Sequence, residues 1–399
     1  MKLRIFCALR HANDPKRYYG GLWTSNFYPA LRELGHEILE SQTDLLPTSR
    51  FMDVPGNFSP EELELRARTT EQILAEVRAA HARQPVHLFL SYFYNAHFDP
   101  VGFDELGRMG IPSVNFYCNS MYQFELVSEI AAKVNYSWHA EKHARPLYKA
   151  VGANPVWVQM GADPQVYRPI QGATRLPNAS FVGMRYADRD RWMAALVRAN
   201  IPVEIYGPGW GMDPPAVSSD KGSPKPLMQA KNYLAEVRRN FIRHGMVGGL
   251  ARTKRQYNYR RQTRKLLPLF KPLAKGPVPF TRICEVFSSH EVILNFSNVW
   301  SDGRSGSNLI PHVRLRDFEG PMCRTCFITG HTDEISEFYG VGKEIETYNS
   351  TEEFVDKVRF YLSHPRAAEQ LRELGYQRAR RDHTWVRRFE QMFREIGMS

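Results

Sequence analysis

Two series of short apolar runs, separated by segments whose apolar residues recur at helical spacing, account for most of this sequence of 399 residues. The first series includes Leu3–Leu9, Val86–Tyr92, Ile111–Tyr117 and Lys133–Ser137, and Ser59-Pro60 predicts the start of a helix before the second of these runs. A second series begins at Ala179–Gly183 and continues with Val203–Gly207. Strands that alternate with helices predict a parallel, doubly wound sheet, and the restart predicts a second sheet of the same kind.

The length of the chain supports this division, because a single core rarely grows beyond about 250–300 residues. We expect an N-terminal Rossmann-like domain over residues 1–170, a second over residues 171–380 and a C-terminal helix over residues 381–399. A basic insertion interrupts the second domain at about residues 208–279. The predicted fold class is α/β, with two tandem Rossmann-like domains that face a central cleft and C-terminal helices packing back toward the first domain.

Composition favours an ordinary globular protein, with 43% hydrophobic and 24% charged residues. No window approaches the roughly 18 uninterrupted apolar residues of a membrane-spanning helix. The N-terminal apolar run breaks at Arg10 without a small-residue cleavage site, which favours a strand over a signal peptide. The five cysteines are scattered and odd in number, which argues against a disulfide framework and predicts a cytoplasmic location.

The net charge of +11 is concentrated in one segment. Residues 237–284 contain 13 Lys or Arg and no Asp or Glu, and the rest of the chain has 40 basic against 42 acidic residues. Aromatic and leucine side chains among these cations suit an anionic membrane, and they equally suit a phosphorylated acceptor or nucleic acid. A solvated loop is the alternative. We favour an anionic acceptor or peripheral membrane contact through residues 238–275, and we expect no nucleic acid because no recognised module surrounds the patch.

The segment Val313–Gly320, VRLRDFEG, gathers two arginines and two carboxylates after a loop rich in Gly, Ser and Asn. Ligands of doubly wound sheets bind where strands end and helices begin, so Arg314, Arg316 and Glu319 lie where an anion would bind. Arg316 can pair with phosphate oxygens, and Glu319 can accept hydrogen bonds from two ribose hydroxyls. A solvated ion pair between Arg316 and Glu319, three residues apart, is at least as consistent with the spacing.

Several short motifs recur in a fixed order from Phe181 to Phe389. They are FVGMRYADR (181–189), IYGPGW (205–210), LNFS (294–297), RLRDFEGPM (314–322), FIT (327–329), GKEIETY (342–348), YLSHP (361–365) and HTW (383–385) with Arg387. In order and spacing they resemble the C-terminal half of the CgeB-like glycosyltransferases, a branch of the GT-B enzymes. The resemblance covers about half of the chain.

This resemblance implies a GT-B fold whose C-terminal lobe binds a nucleotide-activated sugar and whose N-terminal lobe holds the acceptor. It implies a hexosyltransferase that moves a sugar from a UDP- or GDP-linked donor to a hydroxyl, without a cofactor or a required metal. Glu319 falls on the ribose-binding glutamate of the family, Arg316 on the basic residue before it, and Gly183 with Arg185 on the loop facing the diphosphate. The expected donor-binding set also includes Arg314 and Tyr206.

Two positions depart from the family pattern. Pro311 stands where retaining GT-B families often carry a second glutamate, which leaves the stereochemical outcome open. Cys323-Arg-Thr-Cys326 replaces the usual glycine and suggests a zinc or redox site. A structural zinc needs four ligands, and no second Cys or Cys/His pair has matching spacing, so packing at a turn is favoured.

The N-terminal half contributes further candidates. Gly20 and Gly21, between the first strand and the first helix, resemble the glycine loop that GT-B enzymes direct at the donor, although a tight turn is the alternative. His97 follows the third strand and would contact the transferring sugar or the acceptor hydroxyl as a catalytic residue, because imidazole suits proton transfer near neutral pH. A structural role is its alternative. Asn119, after the next strand, is expected on the acceptor side.

Two other functions fit the same residues. One is a non-catalytic nucleotide- or sugar-binding protein that kept the GT-B fold, and the other is a polyanion-binding scaffold that uses the basic insertion. The enzyme should turn over a sugar nucleotide, whereas the degenerate fold should bind nucleotide without turnover. The scaffold should bind polyanions in a salt-sensitive way that Glu319→Ala leaves unchanged.

Overall fold

A computed structural model of the chain describes residues 2–9, 22–211 and 226–398. The chain separates into two compact units. The N-terminal unit comprises residues 1–167 together with 379–399, and the C-terminal unit comprises residues 168–378.

A six-stranded parallel sheet with the order β2-β1-β3-β4-β5-β6 forms the centre of the N-terminal unit. Its inner strands β1, β3 and β4 are buried at every position, as expected of a parallel sheet covered on both faces. The strands are β1 (Arg4–Ala8), β2 (Glu37–Glu40), β3 (Leu88–Ser91), β4 (Ser113–Tyr117), β5 (Tyr136–His139) and β6 (Pro155–Trp157). The helices are α1 (Leu22–Glu33), α2 (Leu46–Ser49), α3 (Pro60–Arg83), α4 (Gly102–Arg108), α5 (Ser120–Gln123), α6 (Ser128–Ala131) and α7 (Arg145–Ala150), numbered with those below in chain order.

The start of α3 confirms the helix start expected at Ser59. The Ser59 hydroxyl accepts a hydrogen bond from the backbone N–H of Glu62 at 3.3 Å, and the Glu62 carboxylate accepts one from the Ser59 N–H at 2.8 Å. This reciprocal capping box satisfies two N–H groups, and Pro60 occupies the first turn, where its missing N–H costs nothing.

The last helix, α15 (Trp385–Glu395), completes the core of the N-terminal unit. The ring centroids of Trp385 and Phe389 lie 4.8 and 5.1 Å from that of Phe27 in α1. The Trp385 indole donates to Asn26 Oδ1 at 3.0 Å, and Arg388 Nε donates to the backbone carbonyl of Met160 at 2.8 Å. The expected return of the C-terminal segment to the first domain is therefore confirmed.

The C-terminal unit contains a second six-stranded parallel sheet, with the order β14-β13-β10-β7-β8-β9. Its strands are β7 (Leu176–Val182), β8 (Val203–Tyr206), β9 (Ala274–Gly276), β10 (His290–Leu294), β13 (Phe327–Gly330) and β14 (Glu346–Tyr348), and β11 (Val299–Trp300) pairs with β12 (Leu309–Ile310) in an antiparallel ribbon. The helices are α8 (Arg189–Arg198), α9 (Pro226–Phe270), α10 (Ile283–Ser288), α11 (Arg316–Met322), α12 (Ile335–Phe338), α13 (Thr351–Ser363) and α14 (Pro365–Asp382). The predicted α/β class with two Rossmann-like sheets is confirmed.

The described part of the basic insertion is mostly helical. Residues 226–270 form α9, which is interrupted at Gly245 by a non-helical backbone with φ 66° and ψ −174°. Phe270 at its end is fully buried in the core of the C-terminal unit, with Leu266 and Leu269 packed against that core. None of the helices within the described residues is both long and apolar enough to cross a bilayer.

Candidate functional site

The strand order of the C-terminal unit reverses beside β7. β8 and β9 follow on one side of β7, whereas β10, β13 and β14 lie on the other. Open α/β sheets bind ligands at such a switch point, outside the carboxyl ends of the strands. The loops after β7 and β10, residues 183–188 and 295–298, therefore mark the candidate site.

Direct contacts hold these two loops together. Asn298 Nδ2 donates to Asp188 Oδ2 at 2.7 Å, and the indole of Trp192 donates to the same oxygen at 2.9 Å. The hydroxyl of Tyr186 accepts a hydrogen bond from the backbone N–H of Trp300 at 3.1 Å. The switch point is thus a preformed structure rather than two independent loops.

Two arginines converge at this point. Arg189, the first residue of α8, is 5% exposed, and its Nη1 donates to the backbone carbonyl of Met184 at 2.6 Å. Its guanidinium lies over the rings of Phe181 and Tyr186, at 5.2 and 5.7 Å from their centroids. Burial, followed by the neighbouring positive charge of Arg314, lowers the pKa of Arg189 to about 9.

These two cations have incomplete hydrogen bonding. Within the part of the chain that the structure describes, the buried Nε atoms of Arg189 and Arg314 have no hydrogen-bond partner. A buried donor without a partner costs free energy, and two like charges repel each other. An anion bound between the two guanidinium groups would relieve both costs.

Asp317 holds the backbone of Arg314 at the site. Its Oδ2 accepts from the Arg314 backbone N–H at 2.7 Å, and its Oδ1 accepts from Asn295 Nδ2 at 2.9 Å and Thr329 Oγ1 at 2.7 Å. Asn295 follows β10 and Thr329 lies in β13, so one carboxylate ties three segments together. Burial raises the pKa of Asp317.

The expected Arg316 and Glu319 form a pair with each other. Arg316 Nη1 lies 2.8 Å from Glu319 Oε2, and the guanidinium sits over the Phe287 ring at 5.2 Å. Glu319 is 4% exposed, so this ion pair is largely buried rather than solvated. The charge of Arg316 is therefore balanced within the protein, and the ribose role of Glu319 stays a prediction.

Arg185 has different partners from those expected. Its Nε and Nη2 donate to the two carboxylate oxygens of Asp190 at 2.7 and 2.5 Å, and Nη2 also contacts the backbone carbonyl of Thr263. Its side chain is 10% exposed. The buried bidentate pair joins the loop after β7 to α8, and the Thr263 contact joins it to α9. Such an internal pair does not favour the phosphate role that the motif suggested.

Gly183 and Tyr206 support the loop after β7. The Gly183 N–H donates to the Tyr206 carbonyl at 2.7 Å. A Cβ at Gly183 would lie 2.6 Å from the Phe181 ring and 3.2 Å from Arg189 Nη1, so glycine allows Arg189 its position. The Tyr206 hydroxyl donates to Glu204 Oε2 at 2.6 Å, and that carboxylate also bonds His290 Nε2 at 3.0 Å. Donor contact by Tyr206 stays a prediction.

The candidate residues of the N-terminal half are Gly20, Gly21, Asn119 and His97. Gly20 and Gly21 lie outside the described residues. Asn119 is half-buried, and its Nδ2 lies 3.1 Å from Cys118 Sγ, so its acceptor role stays a prediction.

His97 has the surroundings of a structural residue. It is fully buried, and its Nδ1 accepts a hydrogen bond from the Tyr94 backbone N–H at 3.0 Å. The proton is therefore on Nε2, which lies 2.9 Å from Ser49 Oγ, and that hydroxyl donates to the Leu45 carbonyl at 2.7 Å. A ring held in one tautomer without solvent contact is poorly suited to proton transfer, so we carry no catalytic role forward for His97.

In the C-terminal unit, Cys323 contacts Cys284, which lies outside the Cys323-x-x-Cys326 motif. The nearest thiols are Cys284 and Cys323, whose Sγ atoms are 3.6 Å apart. A hydrogen bond from Cys323 lowers the pKa of Cys284 to about 7, whereas burial raises the pKa of Cys326. No cluster of three or more metal-ligating side chains occurs among the described residues.

Sequence reasoning missed Arg189, Asp317 and Asn298. Arg189 ends the motif FVGMRYADR, but the motif alone does not distinguish it from Arg185. Asp317 was noted only as one charge of VRLRDFEG. The available signal was the doubly wound topology, because the loops of the first and fourth strands of such a sheet meet at its switch point.

Comparisons with known proteins gave a family match to part of the sequence and structural matches to nearly the whole chain. Residues 232–394 match a family described as glycosyl transferase-like. A search of curated protein sequences found no match to this chain.

Solved structures of three proteins share the fold over nearly the whole chain. Sucrose-phosphate synthase from Thermosynechococcus elongatus has a TM-score of 0.57 at 9% identity, covering 99% of each chain. The Anabaena protein HepE in complex with UDP and glucose has a TM-score of 0.56 at 10% identity, covering 99% of this chain and 100% of its own. A glycosyltransferase from Rickettsia africae has a TM-score of 0.56 at 11% identity, covering 99% of each chain. The chain therefore has the GT-B fold, and its residues 232–394 are glycosyl transferase-like in sequence.

Proposed function

We propose that this protein is a glycosyltransferase that moves a sugar from a nucleotide diphosphate donor to a hydroxyl acceptor. The observation that carries the proposal is the convergence of Arg189 and Arg314 at the switch point of the C-terminal sheet. Their mutual repulsion and their unpartnered Nε atoms favour binding of an anion between them. A diphosphate supplies negative charge and acceptor oxygens for both guanidinium groups.

The comparisons support the donor class. HepE was solved with UDP, with UDP and glucose and with UDP-glucose, and the matched family is described as glycosyl transferase-like. We therefore propose a UDP-linked donor ahead of a GDP-linked one and a hexose as the transferred sugar. The narrower CgeB-like assignment rests on the ordered motifs from Phe181 to Phe389.

The chemistry proposed for the site is electrostatic. As the bond between the sugar and the diphosphate breaks, negative charge grows on the leaving group, and Arg189 and Arg314 stabilise it without reorganising. With a pKa of about 9, Arg189 remains mostly protonated near neutral pH. Two guanidinium groups can balance a diphosphate, so the proposed mechanism includes no required metal. Glu319 is proposed to hold the ribose hydroxyls.

The acceptor is assigned to the N-terminal unit, with Asn119 on its side. A cytoplasmic location is part of the proposal, and it is supported by five buried cysteines that form no disulfide bond. Donor binding can be tested with the nucleotide alone.

The test compares nucleotide binding by the whole protein and by two variants. Calorimetric titration with UDP should give a Kd that rises at least about tenfold in Arg314→Ala, because one charge-assisted contact is lost. Arg191→Ala is the matched control, because Arg191 is an exposed arginine of the same region, two residues after Arg189 in α8. Equal UDP affinity in wild type and Arg314→Ala would overturn the proposed site. Binding without hydrolysis or transfer of any sugar nucleotide would indicate a non-catalytic relative instead.

A further inference from the structure

The helix α9 is a hairpin rather than a rod. Asn240 Nδ2 donates to Gln256 Oε1 at 2.9 Å and lies 3.2 Å from Thr253 Oγ1, whereas an unbroken helix would separate residues 240 and 256 by about 24 Å. The chain reverses at Gly245, where φ is 66°. Gly249 permits the close approach of the two arms, because a Cβ there would lie 2.8 Å from the Cα of Phe241.

The turn of this hairpin presents large apolar side chains to solvent. We define the hairpin tip as residues 245–251. Met246 is 78% exposed, Val247 is 85% exposed and Leu250 is 65% exposed. Leu250 is three and four residues from the other two, so the three side chains are neighbours on one helical surface. Single exposed apolar residues are ordinary, but a contiguous group at a protruding turn indicates an interaction surface.

The second arm of the hairpin adds positive charge next to this tip. Its exposed cations are Lys254, Arg255, Arg261, Arg264 and Lys265. Residues 237–284 include no Asp or Glu, so no acidic side chain of the same segment offsets them. Tyr257, 55% exposed, lies among these cations. The surface therefore combines an aliphatic end with a basic flank.

The arm is anchored to the rest of the C-terminal unit. Arg252, 4% exposed, donates through Nη2 to both carboxylate oxygens of Asp302 at 2.9 Å. The Tyr259 ring lies 5.1 Å from that of Trp300, and a Cβ at Gly306 would lie 2.8 Å from Gln256 Cγ. Met246, near the far end of the tip, precedes Arg252 by six residues, which is about 9 Å along the helix axis. These contacts fix the second arm of the hairpin to the C-terminal unit, so the exposed apolar residues lie at the end of an anchored helix.

We propose that the hairpin tip inserts into the interface of an anionic lipid bilayer. Aliphatic side chains gain from transfer out of water into the acyl region, and the cations behind them complement anionic headgroups. Nucleic acid would complement the same charges but would leave Met246, Val247 and Leu250 in water. A second copy of this chain would bring two strongly basic flanks together, which like-charge repulsion opposes. This membrane contact would involve only the hairpin, and it does not depend on the proposed transfer reaction.

The experiment measures cosedimentation of the full protein with vesicles of phosphatidylcholine, with and without phosphatidylglycerol. We expect binding only to the vesicles that contain phosphatidylglycerol, and weaker binding as salt is raised. The triple variant Met246→Ser, Val247→Ser, Leu250→Ser should bind at least about tenfold more weakly, because the buried apolar area is lost. Replacing Lys254, Arg261 and Arg264 by Ser should reduce binding and its salt dependence together.

The matched control replaces three exposed apolar residues elsewhere in the same unit, Val341, Phe360 and Leu374, by Ser. This control should bind vesicles as the wild type does. Circular dichroism and thermal melting of every variant separate loss of folding from loss of membrane binding. Equal vesicle binding by the tip variant and the wild type would overturn the inference, as would absence of wild-type binding. A tip-dependent dimer in sedimentation velocity, or binding to RNA but not to vesicles, would overturn it in favour of those partners.

Discussion

At the scale of single residues, two arginines four positions apart in one motif have different surroundings. Arg185 has its charge balanced by a bidentate contact with Asp190, whereas Arg189 is buried beside the like charge of Arg314. Both belong to FVGMRYADR, and the resemblance placed only Arg185 on the loop facing the diphosphate. Their difference arises from the partner that each guanidinium meets in the folded chain.

Replacing Arg185 should therefore harm stability more than donor binding. Arg185→Ala leaves the Asp190 carboxylate, whose side chain is 9% exposed, without its cation. Removing one partner of a buried pair costs about 3–5 kcal/mol, which we expect as a lower free energy of unfolding in urea denaturation. UDP affinity of the folded fraction should change less than in Arg314→Ala. A large loss of affinity with unchanged stability would return Arg185 to the donor site.

His139 should make the N-terminal unit sensitive to acid. Burial lowers the pKa of His139 from 6.5 to about 4, and its buried Nε2 has no hydrogen-bond partner among the described residues. In the unfolded chain this histidine takes up a proton as pH falls below about 6.5, whereas in the folded chain it stays neutral until about pH 4. The contribution of His139 to the free energy of unfolding is therefore complete above pH 6.5. It is lost as the pH falls, so that the free energy of unfolding is lower by about 3 kcal/mol at pH 4.

Urea denaturation at pH 7 and pH 4.5 measures this dependence. His139→Gln should flatten the pH dependence of the free energy of unfolding, because glutamine does not titrate. His364→Gln is the matched control for the substitution, since His364 is exposed and lies in the C-terminal unit. An unchanged slope in His139→Gln would show that other groups cause the acid sensitivity.

At the scale of elements, the candidate site depends on how α11 is attached to the sheet. Asp317 in its first turn joins the backbone of Arg314 to Asn295 after β10 and to Thr329 in β13. The carboxylate is buried and acts on the proposed anion only through Arg314, so it is a positioning residue. The sheet thereby sets where the Arg314 guanidinium lies.

Asp317→Ala should consequently change both stability and donor affinity. Three donors would lose their acceptor, and each buried unsatisfied group costs about 1–3 kcal/mol. We expect a lower melting temperature and a UDP Kd that rises several-fold in the folded protein, as measured by calorimetric titration. Asp317→Asn keeps one acceptor oxygen and should recover part of both. Unchanged UDP affinity in a folded Asp317→Ala protein would mean that Arg314 is positioned by other contacts.

At the scale of the whole molecule, the chain passes from the N-terminal unit to the C-terminal unit and back again. Residues 379–399 return to the N-terminal unit, where Trp385 is 1% exposed among aromatic rings. Its ring centroid lies 4.8 Å from Phe27 and 6.2 Å from both Trp23 and Phe116. The stability of the first unit therefore depends on the last residues of the chain.

Trp385→Ala tests this dependence. Loss of a large buried aromatic side chain costs about 3–5 kcal/mol, and the penalty should fall on the N-terminal unit. Hydrogen exchange should show lost protection in α1, β4 and β5, with little change in β7 and β10 of the C-terminal unit. Equal loss of protection in both units would show that they unfold together.

Much of the fold was predictable because it depends on local patterns. The alternation of apolar runs predicted both parallel sheets, and Ser59-Pro60 predicted the start of α3. Element bounds were less accurate, as in the strand expected at Lys133–Ser137 and observed at Tyr136–His139. The local sequence sets the element type, whereas its ends depend on contacts with neighbouring strands.

The candidate site was only partly predictable, for a physical reason. The sequence indicated that an anion would bind near Arg314, because VRLRDFEG follows a strand and a glycine-rich loop. It left the partners of Arg316 and Glu319 open, and the fold joins them to each other at 2.8 Å. Burial decides whether such an ion pair forms, and burial is not a property of spacing along the chain.

By itself, then, the sequence determined the two α/β domains and the concentration of positive charge in residues 237–284, and it predicted a segment that would bind an anion. Only the tertiary structure decided that Arg189 rather than Arg185 faces Arg314, that His97 is buried, and that α9 folds back at Gly245. Periodicity and composition act over a few neighbouring residues, so they can be read from the chain. The partner and the solvent exposure of a charged group are set by residues distant in sequence, and these come together only when the chain folds.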